Sequence, residues 1–473
     1  MPPTTLLDLS NDEFHMIFQL LSQPDLVALC LTCKTLCRLP EQTLYSQVKF
    51  NWSTSSVPPI VQLLRSLFSR PQRSTYVRSL VLDGTQFEGH INRGPTYTPS
   101  IPVTIEDIER PISWIESLKV TYRNQWIRQL EVGNIDAFVT VLICQLSHLR
   151  SVKIGSDFAL DNLILSMVLK SALCEDSSQN SGLSISQQLQ SVTFTYQFVQ
   201  QYGSLPIHKN TKEVLPILYL PALQNLSICI DNPIKFAWPT VLPPNLSTLV
   251  SLDLQFLREK HLHKILSLTT SLKMLRWCWY WNRDTATIGR HRYFSKDIDL
   301  DKVTEALLYI KDTVEDLTLT THIDHLLDGE DRPYVTGSLS GLSKLHHLKR
   351  WLVPQYMLNG GYRPPIAKPL VQILPNKLEF LGITEDIYDP DSDSVSPTDL
   401  LEPLRQWLSR RKDHAPMLHS IFFITEGFDW HQPIRNEFTR IGDQAGVSIT
   451  FPLNPPPCFA RFGSPKAINS MWF

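Results

Sequence analysis

Apolar residues recur along most of this chain at the first, fourth and sixth positions of short segments, and stretches of helical period separate those segments. Eleven segments carry the pattern: Val77-Leu80-Leu82, Ile127-Leu130-Val132, Leu149-Val152-Ile154, Leu189-Val192-Phe194, Leu223-Leu226-Ile228, Leu249-Leu252-Leu254, Leu272-Leu275-Trp277, Val314-Leu317-Leu319, Leu348-Trp351-Val353, Leu378-Leu381-Ile383 and Leu418-Ile421-Phe423. Positions four and six are two apart, so their side chains leave the same face of a strand while the flanking residues leave the other. Between them lie helical stretches such as 136–146 and 258–268, the second with Leu262, Ile265 and Leu266 on one side. The fourth positions are 22 to 50 residues apart, an irregular period. No single unit of this kind buries its apolar face alone. Stacked units do, which predicts an α/β chain with a curved parallel sheet, helices outside it and an extended concave surface. A doubly wound sheet alternates in the same way, but it needs a Gly-rich phosphate turn after an early strand, and none is present.

The first fifty residues follow a different period. Ser10-Asn11-Asp12-Glu13 has the spacing of a capping box, and Phe14, Ile17, Phe18 and Leu21 then form one helical stripe ending near Ser22. Pro24-Asp25 restarts a helix with Leu26, Leu29, Cys30 and Cys33 on a stripe, and after Pro40 a third short segment carries Leu44 and Tyr45. Cores below about 70 to 80 residues supply little stability by themselves, so this three-helix unit needs a cover.

Leu9-Ser10, Ile17, Leu20-Leu21, Asp25-Leu26, Leu29, Thr32-Cys33-Lys34 and Leu44-Tyr45 resemble the F-box motif, with Leu9-Ser10 where Leu-Pro is usual and Leu44-Tyr45 where Leu-Trp is usual. The repeated segments resemble leucine-rich repeats of the form LxxLxLxx(N/C). Together they imply an F-box over residues 1–50, then a linker helix, first repeat and loop insertion over 51–112. An irregular leucine-rich-repeat solenoid over 113–451 and a Pro-rich tail over 452–473 follow. The F-box resemblance implies adaptor-binding residues Leu9, Ile17, Leu20, Leu21, Asp25, Leu26, Leu29, Cys33, Lys34 and Tyr45, docked on a Skp-type adaptor and through it on a cullin ubiquitin ligase. The implied job is that of a non-catalytic substrate receptor whose repeats hold an unknown protein; an interaction scaffold acting outside any ligase is the alternative. Were the helices only a cap on the next domain, their leucines would all turn inward.

Residues 84–112, 174–188 and 356–368 read as exposed loops. So does 385–393, where five carboxylates precede Ser394 and Ser396 and an acidic docking segment is the competing reading. The tail is expected to end the array and fold back over its last unit.

Composition narrows the partners. With 44 basic and 46 acidic residues the formal charge is −2, which lacks the positive field that nucleic acid or anionic lipid draws on. No apolar run reaches about 18 residues, and no basic residue precedes Lys34, so neither a membrane span nor an export signal is expected. Eight scattered cysteines suit a reducing compartment, so a cytoplasmic or nuclear location follows.

Candidate chemistry is thin. Cys30, Cys33 and Cys37 with His15 offer a CxxC start without a second half, so no metal is expected. His322, His325, His346 and His347 have no partnering motif. Gly337-Ser338-Leu339-Ser340-Gly341 puts a leucine where a nucleophile elbow needs its serine, and no phosphate loop or HExxH occurs, so neither catalysis nor a cofactor is expected. Trp277-Cys278-Trp279-Tyr280-Trp281 is the most unusual stretch. Trp277 takes an inward repeat position. Arg276 and Cys278 are expected on the concave face, and Trp279 and Trp281 at or just past the strand end. With Arg283, Arg290, His291 and Arg292 they form a candidate substrate-binding patch.

Overall fold

The computed structural model describes residues 9–32, 40–53, 56–84, 100–155, 158, 162–175, 182–194, 214–230, 233, 235–282, 297–324, 334–360, 369–384, 397–424, 431–453, 456 and 458–459. The chain divides into two compact units, 1–196 with 219–222 and 197–218 with 223–473. Both are α/β with parallel strands.

Among the described residues the first unit opens on three short helices, α1 (Asn11–Leu20), α2 (Gln23–Thr32) and α3 (Glu41–Ser46). Helix α1 starts where the capping box predicts. The Ser10 backbone N–H donates to the Glu13 carboxylate at 2.8 Å, and the Glu13 N–H donates to Ser10 Oγ at 3.3 Å. Those hydrogen bonds from Ser10 hold the Glu13 carboxyl below its ordinary pKa.

Strand β1 (Gln47–Trp52), helix α4 (Ile60–Ser69), strand β2 (Ser79–Gly84), helices α5 (Ile105–Ser117), α6 (Arg123–Glu131) and α7 (Ile135–Gln145), strand β3 (Ser151–Ile154), helix α8 (Leu163–Leu173) and strand β4 (Ser191–Phe194) complete the unit. The four strands pair in sequence order, and the motif positions stay aligned: Val48, Leu80, Val152 and Val192 form one row, Phe50, Leu82, Ile154 and Phe194 the next.

Two expectations fail in this unit. Ile127-Leu130-Val132 is not a strand: Ile127 and Leu130 lie in α6, where Trp126 and Leu130 are buried four apart, and Val132 is 64% exposed. A leucine three residues after an isoleucine is also helical spacing, so only the buried sixth position distinguishes a strand. The loop expected over 84–112 contains the first turns of α5, because Thr104 and Asp107 form a second capping box and Ile108 and Ile115 bury one side.

Asp136 on α7 ties two helices together. It is 1% exposed, and its carboxylate accepts the Ile164 N–H at 2.6 Å and the Leu165 N–H at 3.3 Å, satisfying the open amides at the start of α8. Asp136→Ala leaves those amides buried and unpaired, and is expected to lower unfolding free energy by about 2 kcal/mol in a urea titration.

Among the described residues of the second unit the strands and α-helices are β5 (Asn225–Cys229), β6 (Ser251–Gln255), α9 (Glu259–Leu266), β7 (Met274–Asn282), β8 (Ile298–Asp299), α10 (Leu300–Leu307), β9 (Asp316–Asp324), β10 (Val335–Thr336), β11 (Arg350–Pro354), α11 (Gln355–Asn359), β12 (Phe380–Thr384), α12 (Leu401–Ser409), α13 (Arg411–His414), β13 (Ser420–Ile424), α14 (Gln432–Ala445) and β14 (Ser448–Thr450). Eight strands run in parallel in the order β5-β6-β7-β9-β11-β12-β13-β14, while β8 and β10 form a separate pair. The fourth motif position is conserved in register across the whole set: Leu226, Leu252, Leu275, Leu317, Trp351, Leu381, Ile421 and Ile449 lie on one row. All eight are buried. At roughly 1.5 to 3 kcal/mol per buried side chain, such rows are the main favourable term holding the strands in register. The segment expected as a loop from Tyr356 begins instead with α11, whose Tyr356, Met357 and Leu358 are buried and whose Tyr356 hydroxyl donates to Thr321 Oγ1 at 2.6 Å.

His261 on α9 is expected to make this unit acid-sensitive. Its Nε2 lies 2.7 Å from the Pro233 carbonyl, which fixes the Nε2–H tautomer. Burial lowers its pKa to about 4, with Lys260, Lys264 and His263 acting in the same direction and the Pro233 hydrogen bond opposing. The folded value lies below the unfolded value near 6.5, so the unfolded chain takes up a proton that the folded chain refuses. The contribution is complete above about pH 6.5 and is lost as pH falls towards 4. The denaturation midpoint is expected to drop over that window, and to drop less in His261→Gln.

Candidate functional site

Helices α1 and α2 share a small core. Phe14 and Phe18 stack with ring centroids 5.4 Å apart, Leu26 closes on them, and Leu9, Ile17, Leu21, Leu29 and Leu44 pack around these three. This divides the expected adaptor face. Leu26 is 3% exposed and is a core residue, not a free docking anchor, because the two phenylalanines one helix earlier need a partner to exclude water. Leu9, Ile17, Leu21 and Leu29 are half-buried for the same reason.

Tyr45 is half-buried too, with its hydroxyl 2.8 Å from Ser66 Oγ and the Arg73 guanidinium over its ring. Asp25 is exposed at the start of α2 and accepts from Ser22. Cys33 and Lys34 lie outside the described residues.

Leu20 alone among the expected leucines is free, at 86% exposure, and three residues not expected join it: Met16, Val27 and Leu31, the last at 82%. Met16 and Leu20 are four apart on α1, and Val27 and Leu31 are four apart on α2, so each pair is a stripe along one helix side. The signal was in the sequence as a second stripe. Helix α2 carries Leu26, Val27, Leu29, Cys30 and Leu31 and is apolar round most of its circumference, and Val27 and Leu31 stay exposed.

The second expected site lies on β7, and the strand alternation sorts its residues. Leu275, Trp277 and Trp279 all face the core and are fully buried; the Trp277 indole N–H donates to the Leu257 carbonyl at 2.7 Å. Trp279 is therefore not an anchor past the strand end: β7 continues to Asn282, pairing with β9 throughout, and the Arg258 guanidinium lies 4.5 Å from the Trp279 ring centroid. Trp281 is within the strand, opposite Ile323, and its side chain lies outside the described residues. Arg283, Arg290, His291 and Arg292 lie outside them as well.

Arg276 and Cys278 occupy the opposite sheet face, as expected from the alternation, but both are buried. The Arg276 Nε is 3.9 Å from Asp253 Oδ1, and Asp253 Oδ2 accepts from Ser227 Oγ at 2.9 Å. Burial raises the Asp253 carboxyl pKa, opposed by Arg276 and by hydrogen bonds from Ser227 and Gln255.

Arg258 escaped sequence reading. It is 2% exposed, donates from Nε to Glu259 Oε2 at 3.1 Å and from Nη2 to the Asp297 carbonyl at 2.6 Å, and lies over Trp279. Burial lowers its pKa, against the adjacent Glu259. Nothing local marks it, since its aromatic partner is 21 residues away in sequence.

Among the described residues no three His, Cys, Asp or Glu side chains gather as a metal site, and no helix is long and apolar enough to cross a membrane. Cys30 is half-buried, whereas Cys33 and Cys37 lie outside the described residues; His346 and His347 are exposed. No family model matches the chain, and no curated protein matches it.

Proposed function

We propose that this chain is a non-catalytic substrate-recognition subunit of a cullin-type ubiquitin ligase. Its three-helix start acts as an F-box that docks on a Skp-type adaptor, and its parallel repeats act as a leucine-rich-repeat-like solenoid that holds a protein substrate.

The observation that carries this reading is the uncovered apolar surface of α1 and α2, with Leu20 and Leu31 more than four-fifths exposed on helices that already share a core. Free apolar stripes of that kind mark an interaction surface, and a standard interface buries about 800 Å² per partner around a few central anchors. The regular strand rows support the second half, since stacked repeats display an extended face on which a partner can lie. In this reading the chain contributes proximity: it raises the effective concentration of substrate lysines beside a ubiquitin-carrying enzyme, and no reacting group is needed from its own residues.

The test is a pull-down of the full chain from cells, probed separately for a Skp-type adaptor and for cullin. Recovery of both supports a ligase subunit. Recovery of the adaptor without cullin supports a scaffold outside the ligase, and recovery of neither overturns the proposal.

A further inference from the structure

The sheet face turned away from the leucine rows has its own register in the second unit: Asp253, Arg276, Thr318, Leu352, Gly382 and Phe422 stand side by side on β6, β7, β9, β11, β12 and β13. Towards β12 and β13 this face is aromatic. Phe380 and Phe422 lie 6.5 Å apart with nearly parallel rings. The missing side chain of Gly382 leaves room for the Leu352 side chain and for the ring of a tail residue, Phe459. The Phe459 N–H donates to the Pro456 carbonyl at 2.9 Å, and the Phe459 ring meets Phe422 edge to face at 5.8 Å. A side chain at position 382 would crowd both Leu352 and the Phe459 ring, which it would meet at 3.2 Å. Phe459 thus lies against this strand face.

Further along the same face, two buried hydroxyls, Thr384 Oγ1 and Thr320 Oγ1, have no hydrogen-bond partner among the described residues, while Arg276 Nε and Asp253 Oδ1 face each other at 3.9 Å. Each hydroxyl can donate to and accept from a peptide backbone.

We propose that this strand face is a docking groove for a proline-flanked aromatic segment of a protein partner, seated with its ring at Gly382, and that Phe459 is its built-in competitor. The tail carries the chemistry that the groove selects: prolines limit the freedom lost on docking, and one ring supplies the apolar contact. The two hydroxyls beyond Gly382 give a longer partner segment hydrogen bonds that Phe459 leaves unmade. No residue of α1 to α3 takes part, so this inference stands or falls separately from adaptor docking.

The probe is a fluorescent peptide of residues 451–460 with serine at position 458, titrated by anisotropy into the purified full chain. A tethered tail competes at an effective concentration in the millimolar range, so Phe459→Ala is expected to bind the peptide at least about tenfold more tightly than the unaltered chain. Adding Phe422→Ala or Gly382→Leu to Phe459→Ala is expected to reverse that gain, and a peptide with alanine in place of its equivalent of Phe459 is expected not to bind. If Gly382→Leu fails to fold, Phe422→Ala decides, because Phe422 is only half-buried and outside the leucine rows. Equal affinity for the unaltered and Phe459→Ala chains, binding to neither, or binding indifferent to Phe422→Ala overturns the inference.

Discussion

Leu20→Asp with Leu31→Asp is expected to weaken adaptor binding a hundredfold or more while leaving the thermal midpoint of the chain within a degree or two. Both side chains stand in solvent, at 86% and 82% exposure, so a carboxylate there costs the fold little. In a docked complex the same carboxylates are desolvated without partners. Loss of two anchors at about 2 kcal/mol each exceeds a hundredfold in affinity. Leu26→Asp gives the opposite separation. Its side chain is 3% exposed against Phe14 and Phe18, so the aspartate puts a charge into a small helical core with few other buried residues, and the three helices are expected to melt. Calorimetric titration with a Skp-type adaptor, read beside circular-dichroism melting of each variant, separates the two outcomes. A Leu26→Asp chain that melts normally and loses the adaptor would restore Leu26 as an anchor and displace Leu20 and Leu31.

That contrast shows what the sequence made legible. The strand rows could be read because positions four and six bury together, and ten of the eleven segments lie on strands as expected. The eleventh failed at Val132, where spacing alone allowed a helix. Strand β1 alternates plainly, Val48, Phe50 and Trp52 against Gln47, Lys49 and Asn51, but it has Tyr45 where the other segments start on an aliphatic residue, and it fell across an expected domain boundary. The helices of the first fifty residues were readable from caps and stripes. Which stripe of α2 turns inward was not, because a helix apolar on several sides specifies its core face only through what packs on it. Arg258 and Asp136 were invisible for a related reason: each is defined by partners more than 20 residues away.

Arg258→Ala is expected to destabilise the second unit by about 3 to 5 kcal/mol, the usual cost of breaking a buried ion pair from one side. Glu259, 8% exposed, is then left charged without its cation, the Asp297 carbonyl loses its donor, and the Trp279 ring loses the guanidinium stacked on it. Arg258→Ala combined with Glu259→Ala is expected to cost less than the two single changes added together, since the second removes the stranded charge. Urea titrations of the four chains give the coupling directly. Additive losses, or a loss below about 1 kcal/mol for Arg258→Ala, would mean that the pair is solvated and contributes little.

Hydrogen exchange on the full chain, with and without a purified Skp-type adaptor, tests the central claim most directly. Adaptor docking on the first helices predicts slowed amide exchange concentrated in residues 11–32, with exchange across the strands of the second unit unchanged. Unaltered exchange in α1 and α2 at saturating adaptor, or protection confined to the repeats, would contradict it.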